Sequence, residues 1–204
     1  LNISVYSLYL ERYEAMTAGG FLLCERTATR EVYAAGFPPV KLNAVLLRGT
    51  NDDEVEDFLA LTKDQPIHVR FIEYMPLGAE DHANLRVTGN EILRTHPRLS
   101  PVPPMYEGQP SRDYHLPGYV GSVGLIDPVS HRFCGSCNRV RVMSDGMLRP
   151  CLGQNTEVSL KEALESGDDE LLLETIRTAI WQKPKAHAFD EPFVSDKTMS
   201  RIGG

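Results

Sequence analysis

At 204 residues, with 42% apolar and 24% charged residues, the chain has the size and balance of one large globular domain, or of a domain with a smaller lobe. A formal net charge of -7 gives no global reason to expect nucleic acid or an anionic membrane as a partner. No run of about 18 or more apolar residues and no lysine-led leader occurs, so neither a membrane span nor a secretory signal is expected.

The first hundred residues alternate strand and helix. The chain opens at Leu1 on a strand-like run, Asn2-Ile3-Ser4-Val5, which reads as the interior of a longer polypeptide. Residues 8–16 read as helix, and 25–35 as a second helix stopped by Gly36 in a C-cap position. Cys24, behind Phe21-Leu22-Leu23, reads as a packed, inert thiol. After Pro39, residues 40–47 form an apolar strand whose Lys41 and Asn43 are two apart and share a face. Asn51 and Glu54 have the spacing of a helix cap ahead of the stripe Val55, Phe58, Leu59 and Thr62. Residues 68–75 are the next strand, with Arg70, Glu73 and Tyr74 as polar members. This order predicts a parallel sheet with helices outside it, and barrels of this kind gather their chemistry at the C-terminal strand ends. Lys41, Asn43, Arg70 and Glu73 are then candidates for such a site. The alternative is that they make local salt bridges and strand-end hydrogen bonds.

Composition changes near Gly78. A connector over 79–110 holds one helix, 90–95, and then Pro97, Pro101, Pro103, Pro104 and Pro110, a density that prevents regular structure. Residues 113–126 read as short strands broken by Gly118, Gly121 and Gly124. Residues 139–151 resemble a hairpin turning at Ser144-Asp145-Gly146. Ser159 and Glu162 have capping-box spacing for a helix through Leu164, and a last helix over 170–181 carries Leu173, Ile176 and Ile180 on one side. The expected division is 1–78, 79–110 and 111–204.

Four cysteines are too few for a disulfide-built fold, which favours the reducing cytoplasm and leaves three close cysteines able to bind metal. Cys134-Gly135-Ser136-Cys137 is a CxxC turn, and the hairpin that follows can return Cys151 to it. Three thiolates buried without a cation would be costly. Zinc would need a fourth ligand such as His131 or His187. A cubane iron–sulfur cluster held by three cysteines would keep one iron open. A thioredoxin-like pair would leave Cys151 unexplained. His131, Arg132, Arg139, Arg141 and Arg149 crowd the motif, and Arg139 and Arg141, two apart on a strand, share a face suited to polyphosphate. The alternative for these arginines is charge compensation of the thiolates or a solvated strand face.

Taken in order, these landmarks resemble the GTP 3′,8-cyclases of molybdenum-cofactor biosynthesis, a radical S-adenosylmethionine family. They are Pro39-Val40-Lys41-Leu42-Asn43-Ala44-Val45, Asn51-Asp52-Asp53-Glu54, Arg70-Phe71-Ile72-Glu73-Tyr74-Met75-Pro76-Leu77-Gly78, Phe133-Cys134-Gly135-Ser136-Cys137-Asn138-Arg139-Val140-Arg141 and Asp145-Gly146-Met147-Leu148-Arg149-Pro150-Cys151-Leu152. The ending Met199-Ser200-Arg201-Ile202-Gly203-Gly204 also fits, and the whole chain is similar to roughly the C-terminal two-thirds of such an enzyme.

The resemblance implies a partial (incomplete) TIM-type (β/α) barrel, followed by a smaller α+β C-terminal domain carrying an auxiliary [4Fe–4S] cluster on Cys134, Cys137 and Cys151. It implies that the open iron of that cluster binds the guanine of GTP. Arg139 and Arg141 then contact substrate and matter for turnover, Lys41 and Arg70 face the triphosphate, and Asn43 and the backbone at Met75 lie on the S-adenosylmethionine side. Gly203-Gly204 matches a tail required for activity. The implied reaction is radical: a 5′-deoxyadenosyl radical takes hydrogen from C3′ of GTP, and the sugar radical closes on C8. The implied partner is the pyranopterin-forming protein (cyclic pyranopterin monophosphate synthase) that receives the product, and a homodimer is compatible with it. The CxxxCxxC motif of the S-adenosylmethionine-cleaving cluster is missing from these 204 residues, and Tyr6 stands where an aspartate is usual. Turnover by this chain alone is therefore not expected. Two other readings use the same cysteines: a zinc-stabilised scaffold, and the auxiliary-cluster portion of a peptide-modifying radical enzyme.

Overall fold

The structure, a computed structural model, describes residues 1–23, 27, 31–32, 34–37, 40–77, 83–189 and 193–202. The expectations for Cys24, Gly78, Gly203 and Gly204, and for much of the helix over 25–35, lie outside the described residues. The described end of that helix does close at Gly36 (φ +73°), where the Phe37 amide donates to the Val32 carbonyl over 3.2 Å, the bond pattern of a left-handed C-cap.

The chain divides into two compact units, Leu1–Tyr74 with His82–Arg132, and Met75–Asp81 with Phe133–Gly204. The first unit is built on a six-stranded sheet in the order β1-β2-β3-β6-β5-β4. Its strands are β1 (Asn2–Ser4), β2 (Val40–Leu46), β3 (Ile67–Glu73), β4 (Ser100–Pro101), β5 (Arg112–His115) and β6 (Ser122–Ile126). β1, β2, β3 and β6 run parallel, while β5 and β4 close one edge antiparallel. Helices α1 (Leu10–Thr17), α2 (Val55–Ala60) and α3 (Gly89–Thr95) connect them. The parallel, helix-linked sheet read from the strand–helix alternation is present.

Period-two alternation sets the core. Val40, Leu42, Ala44 and Leu46 of β2 and Ile67, Val69 and Phe71 of β3 are buried, with Phe58 and Leu59 of α2 in the same cluster. The Phe58 and Phe71 rings meet edge to face at 5.9 Å.

Three expectations are corrected here. Strands β5 and β6 had been expected in a C-terminal domain starting at 111, yet they complete the first sheet. β6 pairs with β3, some fifty positions upstream, and β5 with β6, a join that no local pattern announces. Asn51 and Glu54 do not cap a helix. Asn51 is fully buried, accepts from the Leu47 amide at 2.7 Å and donates to the carbonyls of Tyr6 and Val45 at 2.7 and 2.8 Å. Glu54, also fully buried, accepts from the Ser7 hydroxyl at 2.7 Å, the Leu8 amide at 2.6 Å and Arg12 at 2.5 Å. Together they tie the segment after β1 to the end of β2.

The second unit holds a three-stranded antiparallel sheet, β7 (Arg141–Val142), β8 (Met147–Arg149) and β9 (Val158–Ser159), and helices α4 (Lys161–Ser166) and α5 (Asp169–Trp181). The hairpin turn is as expected: Gly146 has φ +76°, and its amide donates to the Met143 carbonyl over 3.0 Å. Leu148, Leu160 and Ala179 form this unit's core. The third correction is the cap of α4, which falls on Leu160 without a side-chain bond; Ser159 only accepts from the Lys161 amide at 3.3 Å. No helix among the described residues is long and apolar enough to cross a membrane.

Candidate functional site

Each unit carries a polar site of its own. In the first, one sheet face is a grid fixed by strand register. Lys41 pairs with His68 and His68 with Ser122; in the next row Ser4 pairs with Asn43, Asn43 with Arg70, Arg70 with Gly124 and Gly124 with Asp113. Lys41 and Asn43 share the face opposite the apolar core, as their spacing implied, and strand register adds Arg70 to it. Arg70 spans the parallel strands, donating from Nε to Asn43 Oδ1 and from Nη2 to Asn2 Oδ1, each at 2.7 Å.

Glu73 departs from this group. Three positions from Arg70, it lies on the other face, is 2% exposed, and accepts from the amides of Val129 and Ser130 at 2.9 Å each. Its role is to hold the loop after β6.

The sequence reading missed the residues beside Arg70. His68 Nδ1 lies 2.6 Å from Ser122 Oγ, and its Nε2 lies 3.5 Å from Asp113 Oδ1. Asp113, buried, also accepts from Ser111 at 2.6 Å and Gln109 at 2.8 Å. Gly124 makes room for this cluster: a Cβ there would lie 2.2 Å from Ser111 Oγ and 2.8 Å from His68 Nε2. An alternating polar position beside Arg70 was the signal that pointed to His68.

Burial lowers the His68 pKa below its ordinary 6.5; Asp113 opposes that, while Arg70 and Lys41 add to it. A lowered histidine pKa means that the folded state binds fewer protons than the unfolded chain below about pH 6.5. This contribution to stability is present above that pH and is lost as pH falls. His68→Gln is expected to flatten the decline in urea midpoint between pH 7 and pH 5. An unchanged slope would rule out His68 as its source.

In the second unit, Cys134–Ser136 form a 3-10 turn, closed by the Cys137 amide donating to the Cys134 carbonyl over 3.2 Å. Cys151 follows β8, whose Leu148 and Arg149 are buried at 1% and 0% exposure, so the end of that strand is fixed by packing. All three cysteines are half-buried and none is in a disulfide. The Cys151 thiol pKa is raised, first by burial and also by Cys134 and Cys137, against the Gly153 amide and Lys183, which lower it. Cys151 thus lies in the field of both other sulfurs. Burial also acts to raise Cys137, but the Arg139 amide, Lys183 and the Arg139 charge outweigh it and the thiol pKa falls. Three half-buried cysteines outside any disulfide, one of them raised by the charge of the other two, are a donor set that fits a cationic group.

The fit to a single ion is poorer. Among the described residues no three of His, Cys, Asp and Glu gather in the way one metal ion needs. His187, the distant zinc ligand considered above, accepts the Phe189 amide on Nδ1 at 3.2 Å and packs its ring on Phe189 at 4.5 Å. His131 and Arg132 belong to the first unit.

The arginines are less uniform than expected. β7 begins at Arg141, so Arg139 lies before the strand; its guanidinium sits 5.8 Å from the Phe133 ring centroid and it is exposed. Arg141 is half-buried and donates to the Ile202 carbonyl at 2.9 Å; burial, then the charge of Arg149, lowers its pKa. Arg149 is fully buried and donates to Glu157 Oε1 from Nε at 2.9 Å, to Ser195 at 3.3 Å and to Asp196. It serves the fold of the unit and does not line the cysteines. Met75 falls in this unit, its carbonyl accepting the Leu77 amide at 2.9 Å.

Comparison with known proteins follows the same landmarks. Residues 67–189 match the family model Molybdenum Cofactor Synthesis C. The chain is similar along its whole length to proteins named GTP 3′,8-cyclase: 42% identical to that of Alkaliphilus oremlandii, 40% to that of Moorella thermoacetica and 41% to that of Geobacter sulfurreducens. It spans 64%, 65% and 64% of the length of those relatives.

Proposed function

The chain belongs to the Molybdenum Cofactor Synthesis C family, and we propose that it is the C-terminal part of a GTP 3′,8-cyclase, converting GTP to 3′,8-cyclo-7,8-dihydro-GTP with S-adenosylmethionine. The observation that carries this reading is the donor set: three half-buried cysteines outside any disulfide, Cys151 in the field of the other two, with Lys183 Nζ 3.2 Å from Cys137 Sγ. In this reading Cys134, Cys137 and Cys151 hold a [4Fe–4S] cluster. When bound, it supplies one iron without a cysteine, open to a donor atom of the guanine.

The remaining work falls to this chain's own groups. Arg139 and Arg141 orient GTP, with Arg141 the stronger because half-buried charge is less screened by water. Lys41 and Arg70 take phosphate oxygens, and Asn43 and the Met75 backbone serve S-adenosylmethionine. The second cluster, which cleaves S-adenosylmethionine, needs cysteines beyond these three. The first unit's parallel sheet is then part of an incomplete (β/α) barrel, the tail Gly203-Gly204 assists turnover, and the product passes to a pyranopterin-forming protein in the cytoplasm.

The test is equilibrium binding of GTP and guanosine to anaerobically reconstituted protein. Arg141→Ala is expected to weaken GTP about ten- to a hundredfold, the value of a charge-assisted contact. The effect of Arg139→Ala should be only a few-fold, since exposed pairs contribute little. Arg141→Lys recovers part of the loss, keeping charge but not the fork. Guanosine binding should change little in any variant. Equal GTP affinity per intact cluster in all variants would remove the arginines from the substrate site.

A further inference from the structure

We propose that Lys183 is the outer-sphere cation of the three-cysteine site: its ammonium pins the loop after the CxxC turn, donates to the Cys137 sulfur, and so sets how readily a bound cluster accepts an electron. This rests on the cluster proposed above.

Lys183 Nζ has three acceptors, the Cys137 carbonyl at 3.0 Å, Cys137 Sγ at 3.2 Å and the Arg139 carbonyl at 2.7 Å. These match the three donors of an ammonium group, which leaves its position well determined. The residue is half-buried and lies one position beyond Gln182, the C-cap of α5. Helix α5 is held by Ala179, fully buried in the same core as Leu148 of β8. Cys151 lies two positions beyond β8, so one apolar cluster anchors the elements that carry both the third thiol and the lysine. A cation at the end of a helix is ordinarily read as a partner for the helix carbonyls. Here the ammonium is directed instead to the carbonyls and sulfur of a loop 46 residues upstream.

The physical effect has a fixed sign. Reduction adds negative charge to a cluster and its thiolates. A nearby positive charge and an N–H···S bond stabilise the reduced form more than the oxidised form and raise the potential. Cys137 is the only one of the three sulfurs to receive a Lys183 bond among the described residues, and the lysine charge also reaches Cys151.

The experiment is spectroelectrochemical titration of the reconstituted protein, with iron and sulfide measured on the same samples, for the natural chain, Lys183→Met and Lys183→Arg. Lys183→Met is expected to keep its iron and sulfide and to shift the midpoint to more negative potential. Lys183→Arg, which keeps the charge, should lie between the two. A Met variant with full cluster and an unchanged midpoint overturns the proposal. So does a Met variant that loses the cluster while the Arg variant keeps both cluster and midpoint, since Lys183 would then only pin the loop. If the natural chain takes up no iron and sulfide, the cluster reading fails and takes this inference with it, a result separate from failure of the lysine alone.

Discussion

Cys151→Ser is expected to leave the 204-residue protein unable to take up iron and sulfide, whereas the natural chain is expected to incorporate about four of each and to gain a broad visible absorbance band. The expected loss is complete because the remaining two thiols belong to one turn, Cys134–Ser136 with Cys137 after it. Two ligands on one short turn can grip one edge of a cluster, and only Cys151, delivered by β8 from outside the turn, supplies a third point. Its half-buried setting also explains why serine cannot substitute: a hydroxyl does not ionise to serve as a soft ligand. Cys24→Ser should leave iron and sulfide unchanged. Stoichiometric zinc with no uptake of iron and sulfide by the natural chain would move the assignment to a zinc-stabilised scaffold.

Arg149→Met is expected to cost about 3 kcal/mol, the lower end of what removing one partner from a buried ion pair costs. The guanidinium is fully buried against Glu157, whose side chain is 11% exposed, and Asp196, which is 49% exposed. Two features moderate the loss. Asp196 can return to water, and Lys197 still pairs with Glu157 at 2.7 Å and Asp145 at 2.9 Å. The substitution also frees Ser195 and Asp196 from β8, so protection of amides in 193–202 should fall with that of β7, β8 and β9. Adding Glu157→Gln should restore part of the stability by removing the carboxylate left behind. Urea denaturation with hydrogen exchange reads both effects, and an unshifted midpoint would show that this buried pair is not structural. The measurement also separates Arg149 from Arg139 and Arg141: its loss should lower stability in the absence of any nucleotide.

The contrast among these arginines shows how far local pattern carries. Arg139, Arg141 and Arg149 look alike in sequence, a basic group around three cysteines. Folded, Arg139 packs near Phe133, Arg141 holds the Ile202 carbonyl and Arg149 is enclosed by carboxylates. Charge density was legible; the partner of each charge was not.

The sequence by itself determined the alternating sheet, the face shared by Lys41 and Asn43, the Gly36 cap, the hairpin turning at Gly146 and the CxxC turn of Cys134 and Cys137. All of these follow from short-range rules: side chains alternate along a strand, a left-handed turn favours glycine, and two cysteines three positions apart fit one turn. Tertiary structure alone decided that β5 and β6 join the first sheet, that Asn51 and Glu54 are buried anchors, that Glu73 faces away from Arg70, and that His68–Asp113 and Lys183–Cys137 meet. The reason is common to them all. A buried polar group must find a partner wherever the packing brings one, and the pairs His68–Asp113 and Lys183–Cys137 lie 45 and 46 residues apart, beyond the reach of any local spacing.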